Sequence, residues 1–504
     1  VLQAATTGAG VEGVLRAAGH QGLADEWAEH ASRGGRSGAG QQNPGQQDPG
    51  EAGTDLRYRV MLAIEQSPAE ARLLSPPALT EITAALTATG TDALVYLLPR
   101  DDDGAGMAVV VHQDGTVGRL PLPGLYVGDR SPVREFLRAR QAADAAEAAA
   151  RLAKTADAAE AAAQAAVARD AWLETLGALS GWAWQAAVGP VLGAIAGRDD
   201  GTQRRIVLMP VGELGLVPWH AARRPGSDDR YACQSAVFSY ASSARQFVET
   251  ARHRPRQWPQ APVLISDAGR GSLYVTSAGI AHLCDAYYGG AAVFGDARDR
   301  IAGTVPGSPL ATRADVLAAL PRAGVPGASL LHFGCHGRVQ VPALGSSLRL
   351  GGDEDDAEAR VEVRDILRQS RSRGASDQAA TESGGLVVLA SCLTDVTEHD
   401  FDEALSLATA FLSAGAVGVV AARWSVGAAE TAIFMNVFHQ FLNDGHPHPA
   451  RALYETQKWM LDPDRCVPDN WPKVLRDEAV MAGRPGYPDL ANPEAWAGFA
   501  YQGW

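Results

Sequence analysis

The chain of 504 residues has only five cysteines, and no two of them form a C-x-x-C pair. So few thiols in so long a chain argue against a disulfide framework, and their spacing argues against a zinc finger. A reducing, cytoplasmic compartment is the expectation that follows. Positive charge is also scarce: 44 Lys and Arg stand against 58 Asp and Glu, a net charge of −14. That balance argues against a broad phosphate-binding surface and hence against direct nucleic-acid binding. Long apolar runs are missing too. No window approaches the roughly 18 apolar residues of a membrane span, and no basic stretch followed by an apolar core opens the chain. Neither a G-x-S-x-G elbow nor a Walker phosphate loop occurs, which removes two familiar chemistries. The first residue is Val1 rather than methionine, so residues upstream are expected.

What is present divides into three blocks: residues 1–54, 55–200 and 201–504. In the first, a short helical piece over residues 11–30 passes into a stretch rich in Gly, Gln and Pro, a composition that cannot offset its ordering entropy and reads as a linker. Gly8, Gly10 and Gly13 match a dinucleotide fingerprint by letter, but no strand precedes them and no βαβ unit surrounds them. In the second block a helix over residues 57–71 precedes three short apolar runs broken by turn signals, which predict hairpins in a second, small antiparallel sheet. Residues 132–177 are nearly continuous alanine with scattered charges, and ADAAEAAA occurs twice; alanine's helix propensity predicts one long helix or a helical hairpin. Residues 181–192 continue as a helix whose Trp182 and Trp184 read as core.

The third block alternates β-branched runs with helical patterns, which predicts a mostly parallel sheet with helices on both faces. Two of its strands carry the candidate chemistry. One ends LLHFGCHG, with His336 and Gly337 at its tip; the other ends LVVLASC, with Cys392 at its tip. Both tips fall at the carboxyl edge, where ligands collect in open α/β sheets. A thiol with an ordinary pKa near ~8.5 needs a neighbouring imidazole to ionise at neutral pH. Gly337, with no side chain, allows a carbonyl close to its N–H, and together with the Cys392 N–H it would make an oxyanion hole. The 351–385 segment, with an acidic run and then an arginine-bearing run, reads as a long loop near the site.

These strands resemble those of the CHAT family of caspase-like cysteine peptidases, relatives of separase. The family's histidine strand looks like LHFATHG and its cysteine strand like LVVLSACETG. RIVLMPVGELGLVPW at residues 205–219, SLRL at 347–350 and AGAVGVVAARW at 414–424 resemble further family segments in the same order, from about Leu79 to the C-terminus. The resemblance implies a caspase-like parallel sheet flanked by helices, with a smaller, catalytically silent pseudo-caspase half. It makes His336 the general base and Cys392 the nucleophile of an endopeptidase that needs no metal or organic cofactor. It implies a protein substrate and a possible regulatory protein partner. The alternative it leaves is a silent CHAT-fold module that binds a partner or effector.

Around the dyad, Cys335 must face away from His336, because strand neighbours alternate, and His332 reads as a core histidine. No remaining cysteine has a histidine at metal-ligand spacing. By the resemblance, the pocket for the residue before the cut involves Trp424, Ala428 and Glu430; a carboxylate reaching in from another loop, Asp395 or Glu403, is the alternative that would admit arginine. Ala428 stands where the family's LWPVDDEAT has its acid, so a small or apolar residue is expected there in place of the arginine that separase-like relatives prefer.

Overall fold

The computed structural model describes residues 15–16, 19–33, 59, 76–100, 106–153, 157–195, 202–226, 231–253, 256–266, 274–295, 310–322, 324–340, 343–352, 356–371, 384–391, 406–445, 448–487 and 489–503. The expected helix over 57–71 and the 34–54 linker lie outside them, apart from Arg59. In chain order the strands and principal helices are β1 (Ala93–Leu98), β2 (Gly106–His112), β3 (Val117–Leu122), α1 (Pro132–Leu152), α2 (Ala158–Ala183), β4 (Arg204–Pro210) and β5 (Ala236–Tyr240). There follow β6 (Pro262–Ser266), α3 (Tyr274–Ala286), β7 (Ala292–Phe294), α4 (Arg313–Ala319), β8 (Leu330–Gly334), β9 (Gly337–Arg338), β10 (Ser347–Arg349) and β11 (Arg360–Glu362). The remainder are α5 (Val363–Arg371), β12 (Leu386–Leu389), α6 (Leu407–Ser413), β13 (Gly418–Ala422), α7 (Ala428–Asn443), α8 (Pro449–Leu461) and β14 (Phe499–Gly503).

The chain folds into two compact units. One, made of residues 79–247 and 425–504, holds strands in the order β3-β2-β1-β4-β5-β14. β1, β2 and β3 pair antiparallel as hairpins, but β1 also pairs parallel with β4 from Ala93 beside Ile206 to Leu97 beside Pro210. The expected separate antiparallel sheet is therefore corrected to the outer edge of a mixed one. Its cause is in the residues: Ala93, Leu94, Val95 and Leu97 are buried on both faces of β1, a demand that two hairpin strands cannot meet.

The alanine-rich stretch is a helical hairpin. Ser131 caps α1 by accepting from the Arg134 N–H, with Pro132 in the first turn where its missing N–H costs nothing. Val133, Phe136 and Ala143 anchor α1, and Trp172, Leu176 and Leu179 anchor α2; between Asp144 and Ala171 no described residue is buried. That stretch is helical by alanine's propensity and by packing between the two helices. Past α2 the helix loosens into a π turn at Trp184–Val188, and the Trp182 indole N–H donates to the Gly124 carbonyl at 3.1 Å.

The other unit, with residues 248–424, holds five strands in the order β13-β12-β8-β6-β7, parallel throughout. Beside them lies a three-stranded antiparallel sheet, β11-β10-β9. Leu331, Phe333, Val387, Leu389, Val419 and Ala421 project from one face into a core with α5, α6 and the small sheet. The expected long loop over 351–385 is corrected here. Residues 356–371 form a 3-10 turn, β11 and α5, because Val361, Val363, Ile366 and Leu367 supply a buried face among the charges. Residues 372–383 lie outside the described ones. Two strands, β5 and β14, and the small sheet carry no expectation from the sequence as strands. No described helix is long and apolar enough to cross a membrane.

Candidate active site

β8 is the middle strand of the five, with His332 beside Leu264 of β6 on one side and Val388 of β12 on the other. After β6 the chain places β7 on one flank, then β8 on the opposite flank, so the strand order reverses between β6 and β8. At such a reversal the loops leaving the carboxyl ends diverge and open a crevice. His336 lies two residues past the end of β8.

Side-chain alternation sorts the residues of that strand into two environments. Leu331, Phe333 and Cys335 face the core, where Cys335 is 4% exposed. His332, Gly334 and His336 belong to the opposite face. A Cβ on Gly334 would stand 2.5 Å from Ile280 Cδ1 and 3.1 Å from Thr276 Cγ2, so α3 closes over that face at the level of Gly334. His332, deeper in the strand, is fully enclosed, and burial pushes its imidazole down to about 3, so it is neutral at physiological pH. His336, one step past the cover, is exposed.

The backbone around His336 is held on both sides. Its carbonyl accepts from the Arg349 N–H at 2.8 Å, and Gly337 then pairs with Leu348 and Arg338 with Ser347. Hydrogen-bonded and non-bonded pairs alternate along an antiparallel ladder, so with the bond at His336 and Arg349, Gly337 and Leu348 form the non-bonded pair. The Gly337 N–H consequently points away from β10, toward the edge of β9 that has no strand beside it among the described residues.

β12 runs beside β8 with a constant offset, Leu386 by Leu330 through Leu389 by Phe333. The offset holds past the ladder: Cys335 Sγ lies 3.6 Å from Ser391 Oγ, a pair separated by the same 56 residues. Cys392, next after Ser391, lies outside the described residues, as does Asp395. Trp424 is buried at the end of β13. Ala428 opens α7 and is half-buried, and Glu430 follows in the first turn, about 200° round the helix. Burial raises the Glu430 carboxyl above its ordinary value, with Glu494 adding to the shift and Arg169 opposing it. Cys233 and Cys284 are buried, and burial pushes the Cys284 thiol up to about 11, so neither resembles an activated thiol.

The CHAT domain family matches residues 174–504, about two thirds of the chain, beginning later than the resemblance at Leu79. The chain belongs to the CHAT domain family. Solved structures add the fold. A chain of the Saccharomyces cerevisiae separase–securin complex at 3.0 Å is similar with a TM-score of 0.52 and 8% identity, over 86% of this chain and 31% of that one. A chain of the same complex at 2.6 Å gives a TM-score of 0.50 at 8% identity, over 98% of this chain and 36% of that one. This CHAT chain therefore spans about a third of the length of the solved chains it matches. The search of curated proteins returned no match.

Sequence reasoning singled out His336 and Gly337 but passed over Ser391. Ser391 marks the register through a polar contact that no pattern announces.

Proposed function

We propose that this CHAT chain is a cysteine endopeptidase with His336 and Cys392 as its dyad. The observation that carries the reading is the 56-residue offset between β8 and β12, which persists from Leu330 and Leu386 to Cys335 and Ser391. The next pair of positions at that offset is 336 and 392. Cys335 and Ser391 meet on the core side, and alternation turns His336, which is exposed, to the other side; the reading takes Cys392 to share that side with it.

In this reaction His336 takes the Cys392 proton, and the thiolate sulfur attacks the carbonyl carbon of the scissile bond. The carbonyl π pair moves to oxygen, and the oxyanion is held by the outward Gly337 N–H with the Cys392 N–H. As the tetrahedral intermediate collapses, the C–N bond breaks and the imidazolium of His336 gives its proton to the leaving amine. Water, deprotonated by His336, then cleaves the thioester, returning the acid product and the free thiol.

At the position that resembles the family's acid, Ala428 offers no carboxylate, and burial raises the Glu430 carboxyl above its ordinary value. A small or apolar residue is accordingly favoured over arginine, whose guanidinium would lose hydration without a paired charge. Separase was solved with securin, and we extend to this chain a protein substrate of its own and a separate regulatory protein partner.

The test is cleavage of a peptide mixture by the purified chain and by Cys392→Ala and His336→Ala. Each substitution is expected to abolish cleavage while leaving circular dichroism and the unfolding midpoint in place. Cleavage retained by either folded variant contradicts the dyad. An absence of cleavage by every form, with binding of a partner unaffected by both substitutions, supports a silent interaction module instead.

A further inference from the structure

We infer that Arg338 is a specificity residue that selects an acidic side chain on the carboxyl side of the cut, an inference that rests on the peptidase reading above. The cation is exposed and stands two residues after His336 on the same face of the chain, about 7 Å along a strand. Its charged neighbours are committed elsewhere. Arg360 and Arg364 pair with Glu362, Arg368 pairs with Asp365, and Arg313 pairs with Glu358 and Asp365. Among the described residues no carboxylate lies within ion-pair distance of Arg338. In a protein of net charge −14, a guanidinium beside the proposed base with no carboxylate against it among the described residues is a candidate to meet one from a substrate.

Its partner is an amide. With the Gln340 carboxamide turned as its neighbours require, the oxygen accepts from Arg338 Nε at 3.3 Å and the nitrogen donates to the Gly345 carbonyl at 3.2 Å. Gln340 is fixed in turn, since its backbone N–H donates to Ser346 Oγ at 3.0 Å. This chain of contacts orients the guanidinium through Nε without neutralising it, and leaves the two terminal nitrogens for a bidentate carboxylate.

The direction of the substrate follows from the chemistry. His336 hands its proton to the leaving amine, so the leaving segment passes His336, and Arg338 lies beyond it on the same face. β9 is the end strand of its sheet, and at Gly337 the backbone N–H and carbonyl both face the open edge, where an extended peptide can add as a further strand. A carboxylate in the first two residues after the cut falls within the reach of an arginine side chain there.

The experiment digests a proteome-derived peptide mixture with the full chain, with Arg338→Ala, with Arg338→Glu and with Gln340→Ala, and sequences the new ends on both sides of each cut. The full chain is expected to enrich Asp and Glu about tenfold over Asn and Gln within two residues after the cut, less so in high salt. Arg338→Ala is expected to cleave with that enrichment gone, Arg338→Glu to favour Lys and Arg instead, and Gln340→Ala to show a reduced enrichment. Cleavage without acidic enrichment by the full chain, or enrichment retained in Arg338→Ala, overturns this inference and leaves the peptidase reading standing. No cleavage by the full chain overturns both.

Discussion

Gly385 shows how one residue sets the alignment on which the proposed site depends. A Cβ there would lie 1.8 Å from the Ser329 carbonyl oxygen and 2.5 Å from that of Ala328, both backbone atoms that cannot swing aside. The same Ser329 carbonyl accepts from the Leu386 N–H at 3.1 Å, the first rung between β12 and β8. Ser329 is itself tied to the chain before β6: its hydroxyl donates to the Trp258 carbonyl and accepts from the Ala261 N–H. Gly385→Ala is therefore expected to destabilise the protein by about 3 kcal/mol or more, since backbone must move to admit the methyl group. Urea unfolding checks it, with Gly118→Ala as the control, because no atom lies within 4 Å of a Cβ at Gly118. Equal stability of the two variants would contradict the account.

At the scale of elements, strands buried on both faces were legible because their apolar runs admit no other economical reading, as LLHFGCHG and LVVLASC show at β8 and β12. The helical hairpin was legible from alanine content. The small sheet was not, because β9, β10 and β11 are two or three residues each and carry Arg338, Arg349 and Arg360, so no alternating pattern has room to develop. α5 was missed for a related reason. Its few buried residues sit among Arg364, Asp365, Arg368 and Arg371, and the charges dominated a composition-based reading. β1 was recognised as a strand but assigned the wrong neighbours, since pairing with β4 depends on residues more than a hundred positions away. The half of the site on β8 could be read from letters. That Gly337 has its N–H directed away from β10 required the ladder.

For the whole molecule, three imidazoles whose protonation burial disfavours contribute to the response to acid. Burial lowers His332 from 6.5 to about 3, and it also lowers His448 and His282. Unfolded histidine takes up a proton below its ordinary value whereas these do not, so their stabilising effect is complete above about pH 6.5 and is lost as pH falls. His332 alone is expected to remove about 2 kcal/mol between pH 6.5 and pH 5. Glu430, whose carboxyl is raised by burial, acts in the opposite sense at the acid end of that range, since protonation relieves its buried charge. Urea midpoints at pH 7.5, 6.5 and 5 should therefore decline, and His332→Gln should decline less steeply. A pH-independent midpoint would contradict this assignment of neutral buried histidines.

The dyad is tested most directly by the rate at which iodoacetamide labels each cysteine of the native chain at neutral pH, followed by mass spectrometry. Cys466, which is exposed, supplies the rate of an ordinary surface thiol, and the buried Cys335 that of a protected one. The account predicts that Cys392 is labelled faster than Cys466 and that His336→Ala slows Cys392 by about tenfold or more while leaving Cys466 unchanged. Labelling of Cys392 as slow as that of Cys335, or unaffected by His336→Ala, would contradict it.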